Sequence, residues 1–398
     1  MVQEEHSIPG LNIEAVADLK PWTEWEKQPL DSFERQVQSG MRGLNKGLSG
    51  GIRALDAILK GIQKARYYLI GASSGSYKTT LTDFYFVLCA WLDARRQGKN
   101  IKIFYVSLEI GITEKKAKWC AFYIGWRHRI NISADCILGR DKRLPTDEEL
   151  VLIQEAYGFV NLLMKDVIVV SSGTHPTAIF HSVVDFYEKF GVVHRAPQND
   201  EDRKKKRKGI ITRYDPGSDV PDVYLVVDHL KLLDHESGLD TKGTMDRMSR
   251  HFVTLKNIFG LTPIAIQQFN TDLLASRRDS ISRRGVKDAG SVITPQVLDF
   301  GDSRSTYQDA DVVLGLVKPM SFELPEYARF NCEPTELGGF GEYFVVGFVM
   351  KNRYGAADGK CPLFVNPVSG IFYDLPQGFD EDGPWYAYAK KLKEEWPT

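Results

Sequence analysis

Gly71-Ala-Ser-Ser-Gly-Ser-Tyr-Lys-Thr-Thr80 directly follows an apolar run, Tyr67-Tyr-Leu-Ile70, and directly precedes a helical pattern through Leu81, Phe84, Leu88, Trp91 and Leu92. Strand, Gly/Ser loop, Lys-Thr and helix is the order a phosphate-binding loop requires. In such a loop the amides of Ser74, Gly75, Ser76, Tyr77, Lys78, Thr79 and Thr80 cradle phosphates at a helix N-terminus. Lys78 reaches the β and γ oxygens, and the Thr79 hydroxyl binds Mg²⁺. The motif G-x-x-x-x-G-K-[ST] reads here from Ala72 to Thr79, with Ala72 in place of the first glycine and Tyr77 in place of the glycine before the lysine. Alanine is small and changes little. A non-glycine residue at positive φ costs about 1–2 kcal/mol. We expect Tyr77 to sit in an allowed conformation with its ring packed on a neighbouring element. The plainer alternative for the whole stretch is a Ser/Gly turn that happens to end in Lys-Thr.

Outward from the loop, β-type and helical runs alternate from 46 to about 376, the pattern of an α/β fold with a largely parallel sheet covered on both faces. The strand candidates are 67–71, 101–107, 167–171, 223–228, 262–267, 312–317 and 343–351, with 362–366 behind the last. Helices are expected over 79–96, 113–128, 146–164, 177–190 and 243–259. Residues 1–45 read as an arm interrupted by Pro9, Pro21 and Pro29, with a short amphipathic helix through Leu30, Phe33, Val37 and Met41. Residues 194–221 read as a surface insertion carrying the basic run Arg203-Lys-Lys-Lys-Arg-Lys208, either solvated or facing nucleic acid or an acidic partner. Residues 377–398 form an unassigned acidic and aromatic tail.

The bulk properties bound the function. The 398 residues are 43% hydrophobic with a net charge of −1, so any nucleic-acid site must be a local basic patch. Five cysteines without C-x-x-C spacing read as reduced thiols and not as zinc or disulfides. With no apolar h-region at the N-terminus and no bilayer-length apolar run, the expectation is a cytoplasmic protein with no membrane partner.

Three strand ends carry chemistry. The run Ile101-Lys-Ile-Phe-Tyr-Val-Ser-Leu-Glu109 delivers Glu109 where open α/β sheets build their sites, as a base for the water attacking a γ-phosphate or as a cap on the helix near Thr113. Val223-Tyr-Leu-Val-Val-Asp228 is a buried strand ending in the carboxylate pattern of a Walker B acid, which holds Mg²⁺. Thr262-Pro-Ile-Ala-Ile-Gln-Gln-Phe-Asn270 ends in amides. Gln268 either touches the γ-phosphate and reports to the following loop or satisfies strand-end backbone groups. The long loop 271–300 holds Arg277, Arg278, Arg283 and Arg284, suited to a phosphate backbone. The turn Gly301-Asp-Ser-Arg-Ser-Thr306 adds amides, hydroxyls and the cation of Arg304, so Gly301, Asp302, Arg304 and Ser305 are candidate DNA contacts. Lys351 and Arg353 tip a strand, either as solubilising edge charges or, in an oligomeric ATPase, as cations that reach the γ-phosphate of an adjacent site.

In this order, the phosphate loop, Ser107-Leu-Glu109, Val227-Asp228, Gln267-Gln-Phe-Asn270, Gln308-Asp-Ala-Asp311 and Lys351-Asn-Arg353-Tyr-Gly355 resemble the C-terminal motor domain of DnaB-type replicative helicases. The variant forms look most like those of bacteriophages, and the resemblance covers about 42–376. It implies a RecA-like core that assembles into a ring, usually a hexamer, with ATP and Mg²⁺ between subunits and single-stranded DNA in the channel. It also implies a role in replication and, if phage-encoded, a place in the host cytoplasm. By that resemblance Lys78 and Thr79 match the phosphate-loop pair, Glu109 the catalytic glutamate, Asp228 the Walker B acid and Gln268 the sensor. Lys351 and Arg353 match the trans-acting pair, with Arg353 as the arginine finger, and 301–306 matches the DNA-contacting loop. The chain departs from the family at Tyr77, in the 194–221 insertion, and in lacking the N-terminal helical domain that docks primase. A primase or loader is therefore an open partner. The expectations in competition are an ATP-driven 5′→3′ helicase, a nucleotide- and DNA-binding ring with little hydrolysis, and a filament-forming recombinase relative.

Overall fold

The computed structural model describes residues 47–171, 173–196, 209–270, 293–301, 304–328, 330–334, 339–357 and 359–375, together with residues 37 and 391. The chain divides into two units, 1–46 and 47–398, and every described residue except Val37 belongs to the second. The expected arm helix, the run 203–208, Arg277, Arg278, Arg283, Arg284, Asp302 and the tail lie outside the described residues, apart from single positions.

Among the described residues, nine strands form one sheet in the order β13-β12-β11-β8-β1-β7-β6-β2-β3. Its parallel part holds β1 (Tyr68–Ala72), β2 (Ile101–Ser107), β3 (Val167–Val170), β6 (Asp222–Asp228), β7 (Thr262–Gln268) and β8 (Val312–Val317). The strands β11 (Phe344–Asn352), β12 (Gly359–Val365) and β13 (Phe372–Asp374) continue it as an antiparallel edge. Every residue of β1 and of β8 is buried, as expected of strands covered on both faces and read as unbroken apolar runs.

Helices cover both faces. One face carries α1 (Arg53–Leu59), α2 (Lys78–Leu81), α3 (Ala90–Arg96), α4 (Ile112–His128), α5 (Ala134–Ile137) and α6 (Asp147–Leu163) over a core that includes Ile70, Phe84, Trp91, Trp119 and Phe122. The other carries α7 (Pro176–Tyr187) and α8 (Thr241–Phe259) over Leu69, Phe104, Leu225, Met248 and Phe252. The boundaries follow local chemistry. A Thr146/Glu149 capping box starts α6, Pro176 occupies the first turn of α7, and Gly260 at φ 70° ends α8. The helix expected over 79–96 does not stay α-helical: a π-helical stretch, Thr82–Cys89, separates α2 from α3. Every residue from Thr82 to Leu88 is buried, so this segment has no solvent face.

Where described, the surface insertion 194–221 carries regular structure. β4 (Gly191–Arg195) and β5 (Ile211–Pro216) form an antiparallel hairpin, anchored by Tyr214, whose ring lies 5.4 Å from Tyr187 and 5.1 Å from Phe259. The sequence signal missed here is Ile211, Tyr214 and the turn-flanking Val192-Val193, a short strand pair hidden beside the charge run. A second small pair, β9 (Glu326–Tyr327) with β10 (Phe330–Asn331), packs Phe330 on Phe344 at the antiparallel edge. No helix among the described residues is long and apolar enough to cross a membrane.

Candidate functional site

The parallel strands bring their C-terminal ends together around the loop that follows β1. Ala72 pairs in register with Gln268 of β7 and Leu316 of β8, while Ser107 of β2 pairs with Asp228 of β6. The loop approaches closely because position 71 has no side chain. A Cβ on Gly71 would fall 2.3 Å from the Phe269 ring and 2.5 Å from Phe300.

Ser74 and Gly75 are exposed and Gly75 takes φ 72°, whereas Ser76 and Lys78 are buried at 1% and 6% exposure. Lys78 is largely buried, and its ammonium makes no hydrogen bond or ion pair among the described residues, which leaves it available to an anion. Tyr77 corrects one expectation and meets the other. Its backbone is left-handed, at φ 58° and ψ 23°, and not in the allowed region expected for it. Its ring nonetheless packs against the core, with Lys318 Nζ 5.6 Å from the ring centroid. Burial pushes the Tyr77 hydroxyl up to about 12 and the Lys318 ammonium down.

The Thr79 hydroxyl donates to Asp228 Oδ1 at 3.1 Å. Asp228 is fully buried, and its Oδ2 has no hydrogen bond among the described residues. Burial raises the Asp228 pKa, opposed by the Lys115 ammonium 3.6 Å from Oδ2. A hydroxyl beside an incompletely satisfied carboxylate is the donor set that suits Mg²⁺. The two residues therefore fit the ion.

Glu109 stands exposed just beyond β2, where Ser107 Oγ donates to the Ile110 carbonyl at 2.6 Å and turns the chain. It does not cap α4, whose N-cap is Gly111 with no side-chain bond. His229, beside Asp228, is 6% exposed, and its Nδ1 has no partner among the described residues; burial lowers its pKa, against the carboxylate of Glu109.

Of the two amides ending β7, the structure ties Gln267 to the following segment and leaves the Gln268 side chain without a hydrogen bond among the described residues. Gln267 Nε2 donates to the Phe300 carbonyl at 2.8 Å and its Oε1 accepts from Thr306 Oγ1 at 2.7 Å. The strand-end role weighed for Gln268 thus falls to Gln267. The turn at Gly301, φ 64°, leads into α9 (Arg304–Asp309), where Arg304 is exposed and Ser305 is bonded to Asp246 of α8.

Lys351 and Arg353 lie at the other end of α9. Lys351 Nζ donates to the carbonyls of Tyr307 and Gln308, both at 2.8 Å, and Arg353 Nη2 donates to Gln308 at 2.5 Å. Arg353 Nη1 is 3.5 Å from Asp311 Oδ1. The two cations therefore occupy the C-terminal, negative end of a short helix within their own subunit. Burial, then the neighbouring Arg353, brings the Lys351 ammonium down to about 8.

A cavity of about 280 Å³ opens beside Thr79 and Thr80, between Lys118 and Trp119 of α4 and the turn Pro367–Gly370. Ser369 Oγ is buried there without a hydrogen bond among the described residues. These residues give no functional signal in sequence, since Trp119 reads as helix core and 367–370 as an ordinary turn.

These features define a phosphate-loop α/β protein of RecA-like fold. Its fold is that of the ATPase domains of DnaB-like replicative helicases, as two solved structures show. The ATPase domain of G40P superposes with a TM-score of 0.59 at 17% identity, covering 87% of this chain and 99% of that one. A DnaB-like replicative helicase, described with its interactions with primase, gives 0.60 at 17% identity over 92% of this chain and 71% of that one. No protein-family model matches, and no curated protein matches by sequence.

Proposed function

We propose that this chain is an ATP-driven motor on single-stranded DNA, a 5′→3′ replicative helicase that works as a ring of identical subunits. The observation that carries the reading is the Thr79–Asp228 bond at 3.1 Å beside Lys78, with Glu109 just beyond β2 and Gln268 at the end of β7, the strands on either side of β6. In this reading Lys78 and the loop amides from Ser74 to Thr80 bind the phosphates. Thr79 and Asp228 hold Mg²⁺, which when bound screens phosphate charge. Glu109 takes the proton of the attacking water, and its exposure leaves it room to do so. Gln268 faces the γ-phosphate. The cavity between Trp119 and Pro367–Gly370 seats the nucleoside. Arg304, Ser305, Gly301, Asp302 and the arginines at 277, 278, 283 and 284 meet DNA. Lys351 and Arg353 leave their own α9 to reach the neighbouring site. Primase or a loader docks elsewhere on the ring.

The tyrosine that replaces the glycine at position 77 keeps a second reading in play, a ring that holds nucleotide and DNA with little hydrolysis. ATP turnover with and without single-stranded DNA separates the two. The first expects DNA-stimulated turnover that Glu109→Gln abolishes while nucleotide binding survives, and that Lys78→Ala abolishes together with binding. Turnover by Glu109→Gln equal to the parent removes Glu109 from the chemistry. Binding without turnover in the parent selects the second reading.

A further inference from the structure

Beneath the phosphate loop lies a buried polar cluster that the proposed chemistry does not use. Lys115, in the first turn of α4, is 1% exposed. Its Nζ donates to the Tyr105 hydroxyl at 2.8 Å and to Asp83 Oδ2 at 3.2 Å, and lies 4.5 Å from the Tyr105 ring centroid. Tyr105 in turn donates to Asp83 Oδ1 at 2.6 Å. The ammonium is thus anchored on one side, and its free side faces Asp228 Oδ2 at 3.6 Å, too far for a hydrogen bond but close for a charge.

The placement joins the parts of the site. Asp83 lies one turn beyond Thr79 on the helical rod, Tyr105 lies on the strand that leads to Glu109, and Asp228 ends β6. A buried ion cluster is a poor source of stability, because apolar residues of similar volume serve as well or better. Its specific content here is orientation. With Lys115 attracting Oδ2 to one side, Oδ1 is left for the Thr79 hydroxyl and the phosphate side of the site.

We propose that Lys115, held by Asp83 and Tyr105, is a positioning residue that fixes the Asp228 carboxylate for Mg²⁺-dependent nucleotide binding. The proposal rests on the reading of the site as a Mg²⁺–nucleotide site. The experiment measures affinity for a fluorescent ADP analogue across a Mg²⁺ titration, together with thermal unfolding, on the full chain. Lys115→Met is expected to raise the Mg²⁺ concentration needed for tight binding by about tenfold or more, as loss of groups that orient metal ligands does. Affinity without Mg²⁺ is expected to stay near that of the parent, since Lys78 and the loop amides remain. The single variant leaves two buried carboxylates without their cation and is expected to unfold at lower temperature. Lys115→Met with Asp83→Leu removes the orphaned anchor as well and is expected to regain stability without regaining the Mg²⁺ response. Lys115→Arg keeps the charge and is expected to recover most of that response. A folded double variant with the parent's Mg²⁺ dependence overturns this proposal alone, as does a folded Lys115→Arg no better than Lys115→Met. A parent that binds no nucleotide overturns the functional reading and this proposal with it.

Discussion

Replacing Tyr77 by glycine sets backbone strain against side-chain packing. At φ 58° the tyrosine holds a left-handed conformation that costs an L-residue about 1–2 kcal/mol, which glycine removes. Glycine also frees the unfolded chain, returning roughly 0.5–1 kcal/mol of that gain. The ring outweighs the gain that remains. It packs against the core beside Lys318, and removing a partly buried aromatic of this kind costs about 2–3 kcal/mol of apolar burial. The Lys318 contact at 5.6 Å adds about 0.5 kcal/mol. The balance of strain relieved against packing lost is a destabilisation of about 1–3 kcal/mol for Tyr77→Gly. Tyr77→Phe keeps the ring and should stay close to the parent. Nucleotide affinity should change little in either variant, because the loop already holds its left-handed geometry with tyrosine in place. Urea unfolding with titration of a fluorescent nucleotide measures both quantities. A glycine variant more stable than the parent, or one that binds nucleotide tenfold tighter, refutes the packing argument and shows that strain dominates the loop.

Arg353→Ala is expected to leave ATP affinity nearly intact and cut turnover by about 10³, as loss of a trans-acting arginine does; mixing it with Lys78→Ala subunits should restore part of the activity, and exchange without recovery argues against action across subunits. The lowered pKa of Lys351 has two consequences of opposite sign. Between pH 8 and 10.5 the unfolded chain binds the proton that the folded chain has released, so this group makes the fold more stable as pH rises, while the side chain loses its charge above about 8. Turnover at limiting ATP should therefore fall as pH rises through about 8 in the parent and hold in Lys351→Arg, and parallel pH profiles would remove Lys351 as the titrating cation. Gln267→Leu leaves the Phe300 carbonyl and the Thr306 hydroxyl without their partner, a cost of about 1–3 kcal/mol each. DNA-stimulated turnover should suffer more than the basal rate, a split that steady-state kinetics with and without single-stranded DNA reads directly; equal losses would make Gln267 a plain structural bond.

The fold was legible because its strands are buried on both faces. Tyr68–Ala72, Asp222–Asp228 and Val312–Val317 each read as an apolar run, the second ending in a carboxylate, and each pairs in the parallel part of the sheet. Where a strand is half exposed the signal weakens. The hairpin of Gly191–Arg195 and Ile211–Pro216 carries Val192 at 59% exposure beside His194 and Arg213, so its composition resembles a loop. The π-helical stretch was hidden for the opposite reason. Thr82 to Leu88 are all buried, and periodicity cannot set the pitch of a helix that has no polar face.

Partnership within the site was harder to read than position. Sequence order puts Gln267 and Gln268 side by side, and alternation along the strand sends their side chains to opposite faces. Only packing tells which one meets Phe300 and Thr306. Likewise Lys351 and Arg353 read as free cations at a strand tip, whereas in the fold they close the C-terminal carbonyls of Arg304–Asp309. That short helix starts at the turn proposed to meet DNA and is bonded to Gln267 through Thr306. In the proposed ring, a neighbour's phosphate must draw Lys351 and Arg353 away from this helix, which exchanges their bonds to the Tyr307 and Gln308 carbonyls for bonds to an anion. The same helix therefore carries both events, and DNA bound at its start and nucleotide engaged from its end cannot be independent, provided the exchange displaces it.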